Sequence, residues 1–185
     1  MSTQPLEQAI QSTRGVLERV RPDQLSNSTP CKSWTVSDVI NHIVGAHSFF
    51  ISGLTDNPST PPENPASSDF VAAYDQSSAD CLAAFKGEGA MEKTITLPFG
   101  QMPGAAFAGL AAIDTFQHGW DVAKATGQDT NLAPELAEQL LAGTKMTISD
   151  AFRGADGVAP FGPEQEAPAG SSTADRLAAF LGRSV

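Results

Sequence analysis

The stretch from Gly104 to Thr126, GAAFAGLAAIDTFQHGWDVAKAT, constrains this chain more than any other. It is the longest run that reads as one helix. At about 100° per residue, Phe107, Leu110, Ala111, Asp114, His118, Asp121, Val122 and Ala125 fall on one face, and Ile113, Phe116 and Trp120 cover much of the other. A helix apolar nearly all round belongs in the middle of its domain. Asp114 and His118 stand one turn apart inside the apolar stripe,. A carboxylate placed there needs a cation, a hydrogen-bond network or a metal.

The rest of the composition sets bounds on what the helix can serve. A chain of 185 residues suits a single domain, long enough to bury roughly 70% of its unfolded surface. Its 41% hydrophobic content fits an ordinary core,. A net charge of -10 without a basic stripe speaks against nucleic acid and anionic membranes as partners,. The opening MSTQPLEQAI lacks the basic and apolar regions of a secretory signal,, and no apolar run is long enough to span a membrane. Cys31 and Cys81 are too few for a disulfide framework, so a reduced pair in the cytoplasm is expected,.

Taken in order, residues 4 to 20 predict a first helix ended by Arg21-Pro22,. Thr35 with Asp38 forms an acidic capping box before a second helix, in which Val36, Ile40, Ile43, His47, Phe50 and Leu54 make the stripe and His42 lies about 130° from its centre,. A proline-rich loop, TDNPSTPPENPASSD, leads to a third helix capped at Ser68 or Asp69 and ending near Lys86,. EKTITL alternates weakly as a strand, and PFGQMPG is a turn or the bend of a short hairpin,. Gly127 stops the central helix,. Ala133-Pro134 opens a fifth helix whose apolar side includes Ile148 and Phe152,. Arg153 to Gly170 reads as a long loop positioned to cover a site, and Ser172 or Thr173 caps a short last helix,. The expectation is an all-α domain over residues 1–185, with a bundle core of about 4–127, an extension over 128–185 containing further helices, and at most a small β-hairpin.

Three histidines are available: His42, His47 and His118. Helix bundles build metal sites from inward side chains a turn apart, and the Asp114/His118 pair offers two ligands on one face. A third from the second helix would complete the three protein ligands of an open catalytic site. The competing reading is a plain Asp114–His118 hydrogen bond in the core. Periodicity favours His47 as the inward histidine, whereas a site in a groove would use His42; spacing alone leaves both open. Asp121, three residues after His118, either orients that histidine or pairs with a distant cation. Cys31, beside Lys32 and shortly before a helix, is either an activated thiol or a packed loop residue. Arg153 either meets an anionic substrate or sits on the surface.

Three blocks then read together. TPCKSWTVSDVINHIVG resembles the pattern T-P-C-x-x-W-T-V-x-[DE]-[LV]-[LI]-x-H-[LIV]-[VI]-G, LPFGQMPG with DTFQHGWDVAKATGQD resembles a second block, and DRLAAFLGR matches the ending. Together they resemble actinobacterial single-domain relatives of the mycothiol-dependent maleylpyruvate isomerase N-terminal domain, within the DinB-like (YfiT-like) metal-binding superfamily. The resemblance implies a four-helix bundle that holds a divalent metal, zinc or nickel, through His42, Asp114 and His118. His47 has no metal role in the pattern, and better-known relatives often carry glutamate where Asp114 stands. It further implies a metal-dependent transferase or isomerase that joins a low-molecular-weight thiol such as mycothiol to a small electrophile. A metal-dependent hydrolase and a non-catalytic binding or sensor module are the alternatives, and a homodimer is compatible with each.

Overall fold

The computed structural model describes residues 2–55, 59–97, 100–155 and 158–185. Parts of the proline-rich loop (56–58), the PFG turn (98–99) and the glycine-rich loop (156–157) lie outside the described residues. Four helices form the bundle: α1 (Gln4–Leu17), α2 (Val36–Leu54), α3 (Phe70–Phe85) and α4 (Gly104–Thr126). A two-stranded hairpin of β1 (Thr94–Leu97) and β2 (Gly100–Pro103) precedes α4, and α5 (Pro134–Thr147) and α6 (Thr173–Phe180) follow it. No helix among the described residues is long and apolar enough to cross a membrane.

Each α4 neighbour follows from its all-round apolarity. It packs along α1 and α2, while α3 closes the square against α2 and α1. The two buried clusters fix the directions. Leu6, Phe50, Phe85 and Phe107 meet at one end, and Val16, Val36, Tyr74 and Val122 at the other. Thus α1 and α4 run one way, and α2 and α3 run the other. Gly119 is what lets α1 lie so close to α4, because a Cβ there would collide with the Thr13 side chain. Thr13 Oγ1 also donates to the Thr115 carbonyl at 2.8 Å, tying the two helices at that point.

The caps form largely at the expected residues. Thr35 Oγ1 accepts from the Asp38 amide while Asp38 Oδ2 accepts from the Thr35 amide at 2.9 Å, closing the capping box of α2. Asp69, not Ser68, caps α3, and Ser172, not Thr173, caps α6. Gly127 adopts φ 71° and ends α4 in the left-handed conformation that glycine tolerates,. The hairpin alternates as its sequence predicts, with Ile95 and Leu97 buried and Thr94 and Thr96 exposed.

Two helices end earlier than their apolar spacing predicts. α1 stops at Leu17 because Arg19 and Val20 donate to the carbonyls three residues back, tightening the last turn before Pro22,. α5 stops at Thr147, with Ile148 extended at φ -92°, ψ 107°. Thr144 and Thr147 bond back to the Leu140 and Gly143 carbonyls there, a local competition that weakens helix continuation,. Phe152 consequently falls in a separate 3-10 turn, Asp150–Phe152. α6 docks on α4, where buried Trp120 donates from its indole nitrogen to Asp175 Oδ1 at 3.0 Å.

Candidate metal centre

His42 projects from the flank of α2 into a groove facing α4, and the α4 spacing brings Asp114 and His118 to the same spot. His42 Nε2 lies 3.2 Å from Asp114 Oδ1, and His118 Nε2 lies 3.7 Å from that same oxygen. One donor atom from each of the three residues fits within 4.8 Å of the others. The imidazoles meet edge to face with centroids 4.5 Å apart, and the Trp34 ring lies 4.6 Å from His42 and 5.5 Å from His118. Trp34 belongs to the connector held by the α2 capping box, so that cap also positions one wall of the site.

The geometry fits a metal on two counts. Asp114 Oδ2 is buried and has no hydrogen-bond partner among the described residues, a costly state for a carboxylate oxygen unless a cation supplies one. Two imidazole nitrogens and a carboxylate are also the donor set of borderline divalent ions such as zinc and nickel. Burial pushes the Asp114 carboxyl up, but the His42 hydrogen bond and the histidine charges around it prevail and hold it below the ordinary carboxylate range. The group is therefore an anion at neutral pH, as a ligand must be.

A second layer fixes His118. Its Nδ1 lies 3.0 Å from Asp121 Oδ2. An ionised carboxylate only accepts, so Nδ1 carries a proton and Nε2 is the nitrogen turned toward Asp114,. Asp121 is fully buried, and burial pushes its carboxyl up; Arg183 and His118 outweigh that and hold it well below the usual range. Arg183 reaches both carboxylate oxygens, Nε to Oδ1 at 3.2 Å and Nη2 to Oδ2 at 3.1 Å. Gln117 Nε2 adds a donor to Oδ1 at 3.3 Å. Asp121 thus does both things its position allowed: it orients His118 and it pairs with a distant cation.

His47 and Arg153 go elsewhere. His47 is fully buried in the bundle, with Nδ1 2.8 Å from Ser77 Oγ and its ring against Tyr74. Burial lowers it to about 4, so it stays neutral. The centre of the α2 stripe faces the core, whereas the groove lies on its flank, which is why the helical wheel pointed at the wrong histidine for the cluster. The Arg153 side chain is 10% exposed and does not line the cavity with the triad. Its Nη1 donates to the Gly162 and Phe180 carbonyls at 3.0 and 2.7 Å, and its guanidinium lies over the Phe180 ring. It pins the glycine-rich loop to α6.

The triad opens on a cavity of about 1370 Å³. Its walls come from the connector before α2, the facing sides of α2 and α4, the described loop residues 154–155 and 158–163 with Gln165, and the tail from Leu181 to Ser184. Sequence reasoning assigned no role to Arg183, Trp34 or Gln117. The signal for Arg183 was the demand of a buried Asp121 for a cation, in a chain with only 11 lysines and arginines to supply one.

The family model of the mycothiol maleylpyruvate isomerase N-terminal domain matches residues 6–123. This chain belongs to that family. The match spans all four bundle helices as far as Ala123 and all three residues of the triad, and it stops before Arg183. An uncharacterized protein of Mycobacterium tuberculosis, found in two strains, is 40% identical over 179 residues, which is 97% of this chain and 96% of the relative. The crystal structure of the mycothiol-dependent maleylpyruvate isomerase superposes with a TM-score of 0.59 at 17% identity, covering 76% of this chain and 66% of that one. That likeness establishes the shared fold, an all-α DinB-like bundle with a small hairpin.

Proposed function

We propose that this protein is a metal-dependent transferase or isomerase that uses a low-molecular-weight thiol, mycothiol or a close analogue, against a small electrophile. The observation that carries the reading is the convergence of His42, Asp114 and His118, with an unpartnered buried carboxylate oxygen, on the wall of a cavity large enough for both reactants. Membership of a family whose model is named for a mycothiol enzyme supplies the thiol class. A divalent ion, zinc or nickel, held by these three residues would favour the thiolate form of a bound thiol.

The chain's own residues prepare the site for that chemistry. Asp121, itself held by Arg183, accepts from His118 Nδ1 and so orients the ring with Nε2 toward Asp114. Trp34 covers the two imidazoles on one side, limiting water around them. Loop residues 154–155 and 158–163 with the 181–184 tail line the rest of the cavity, where electrophile selectivity would be set.

The test is to incubate metal-loaded protein with mycothiol and a panel of epoxides, haloalkanes and unsaturated acids. The expected result is thiol-dependent turnover that stops with chelator and in His42→Ala. Turnover of esters or amides without thiol would replace this reading with a metal-dependent hydrolase. Metal-loaded protein inert to both panels would contradict catalysis and favour a binding or sensor module.

A further inference from the structure

Cys31 stands outside the triad yet on the wall of the same cavity. Its Sγ lies 3.0 Å from Arg183 Nη2 and 3.4 Å from Asp121 Oδ2. The sequence offered Lys32 and a helix start as activators of Cys31, against a packed loop residue. In the structure α2 begins only at Val36, and the cation against the sulfur comes from the C-terminal tail. The guanidinium in contact favours a nucleophilic thiolate, the Asp121 carboxylate that accepts from the thiol works against it, and apolar burial without a cation suppresses it,. Cys81 supplies the contrast within the same molecule: it is fully buried, burial pushes its thiol up to about 12, and it lines no part of this cavity. Neither cysteine is in a disulfide.

Gln117 points independently to a polar ligand in the cavity that Cys31 lines. It is 3% exposed and lines the same cavity. Its amide nitrogen must face Asp121, since a carboxylate only accepts,. Its Oε1 is thereby left buried without a hydrogen-bond partner among the described residues, which is unfavourable until a donor arrives. A sulfur in contact with a guanidinium and an unpartnered acceptor thus line the same cavity of about 1370 Å³, ample for a small organic molecule.

We propose that Cys31 is a site of reversible thiol–disulfide exchange with low-molecular-weight disulfides that enter this cavity. The Cys31 thiolate attacks one sulfur of the small disulfide. A bond forms between Cys31 and that half as the original sulfur–sulfur bond breaks. The other half leaves as a thiolate and takes a proton from solvent, replacing the one Cys31 released. Cys31 is oxidised and the departing half reduced, so the disulfide is the only oxidant required. A second small thiol reverses the exchange. The adduct would occupy the cavity beside His118 and shut the triad off while the surroundings are oxidising. Nothing in this step needs a metal, so it stands apart from the proposed catalytic reading.

The test treats full-length, chelator-washed protein with glutathione disulfide and follows intact mass and peptide maps. The comparison is a peptide of residues 29–34, which carries the same cysteine without Arg183. One adduct per chain is expected, on Cys31, reversible by dithiothreitol, absent in Cys31→Ser, and formed about tenfold faster than on the peptide at pH 7. An adduct on Cys81, no adduct, or a rate no greater than the peptide's would overturn the proposal. The wild-type map decides the position even if Cys31→Ser folds poorly, and metal binding measured separately keeps the two readings distinguishable.

Discussion

Arg183→Ala is expected to destabilise the protein by about 3–5 kcal/mol at pH 7, the usual cost of stripping one partner from a buried ion pair. Asp121 is fully buried and the Arg183 side chain is 12% exposed. Without the guanidinium, the carboxylate keeps donors from His118 and Gln117 but loses its cation. The sign of the pH dependence follows from linkage. The wild-type Asp121 carboxyl is held below its ordinary value, so its contribution is fully present above about 3.9, the unfolded value, and is lost as pH falls through the lower folded value,. In the mutant, burial dominates and raises the carboxyl above its unfolded value, a penalty that fades on acidification. The stability gap between the two proteins should therefore narrow as pH falls from 7 toward 3. Urea melts at pH 7, 5 and 4 measure this, and a gap that is constant or widens would mean that Asp121 is not held by Arg183.

His118→Ala is expected to behave in the opposite way, remaining folded while divalent-metal binding weakens. Asp121 retains Arg183 in that variant, so no buried charge is abandoned. The core at both ends of the bundle is built from other residues. The loss should be on the order of 1–3 kcal/mol, typical of point substitutions. Divalent-metal affinity should fall by at least ~100-fold, since even changes behind a ligand cost 10- to 100-fold. Circular dichroism melts with metal titration read both quantities. An unfolded mutant would make any metal here a folding element rather than a reactive one, and unchanged affinity would remove His118 from the site.

Much of this architecture was legible because it is local. The capping box at Thr35 and Asp38, the stop at Gly127 and the alternation of Thr94 to Leu97 each depend on residues close in sequence. The Asp114/His118 pair was legible for the same reason, being one helical turn apart. Choosing between His42 and His47 was not, because the wheel reports which side of α2 is most apolar and the groove lies beside that side; motif resemblance supplied what periodicity could not. Arg183 was illegible as a partner because 62 residues separate it from Asp121, and only the docking of α6 on α4 brings the tail back. Arg153 misled for a related reason: a glycine-rich neighbourhood resembles an open anion site, yet its guanidinium is occupied by two carbonyls.

Calorimetric titration of zinc into wild type, His42→Ala and His47→Ala reads directly whether His42, Asp114 and His118 hold one divalent ion. One site per chain is expected in wild type, with loss of that site in His42→Ala and its retention in folded His47→Ala. Binding that survives in His42→Ala, or that disappears in a folded His47→Ala, would contradict that assignment.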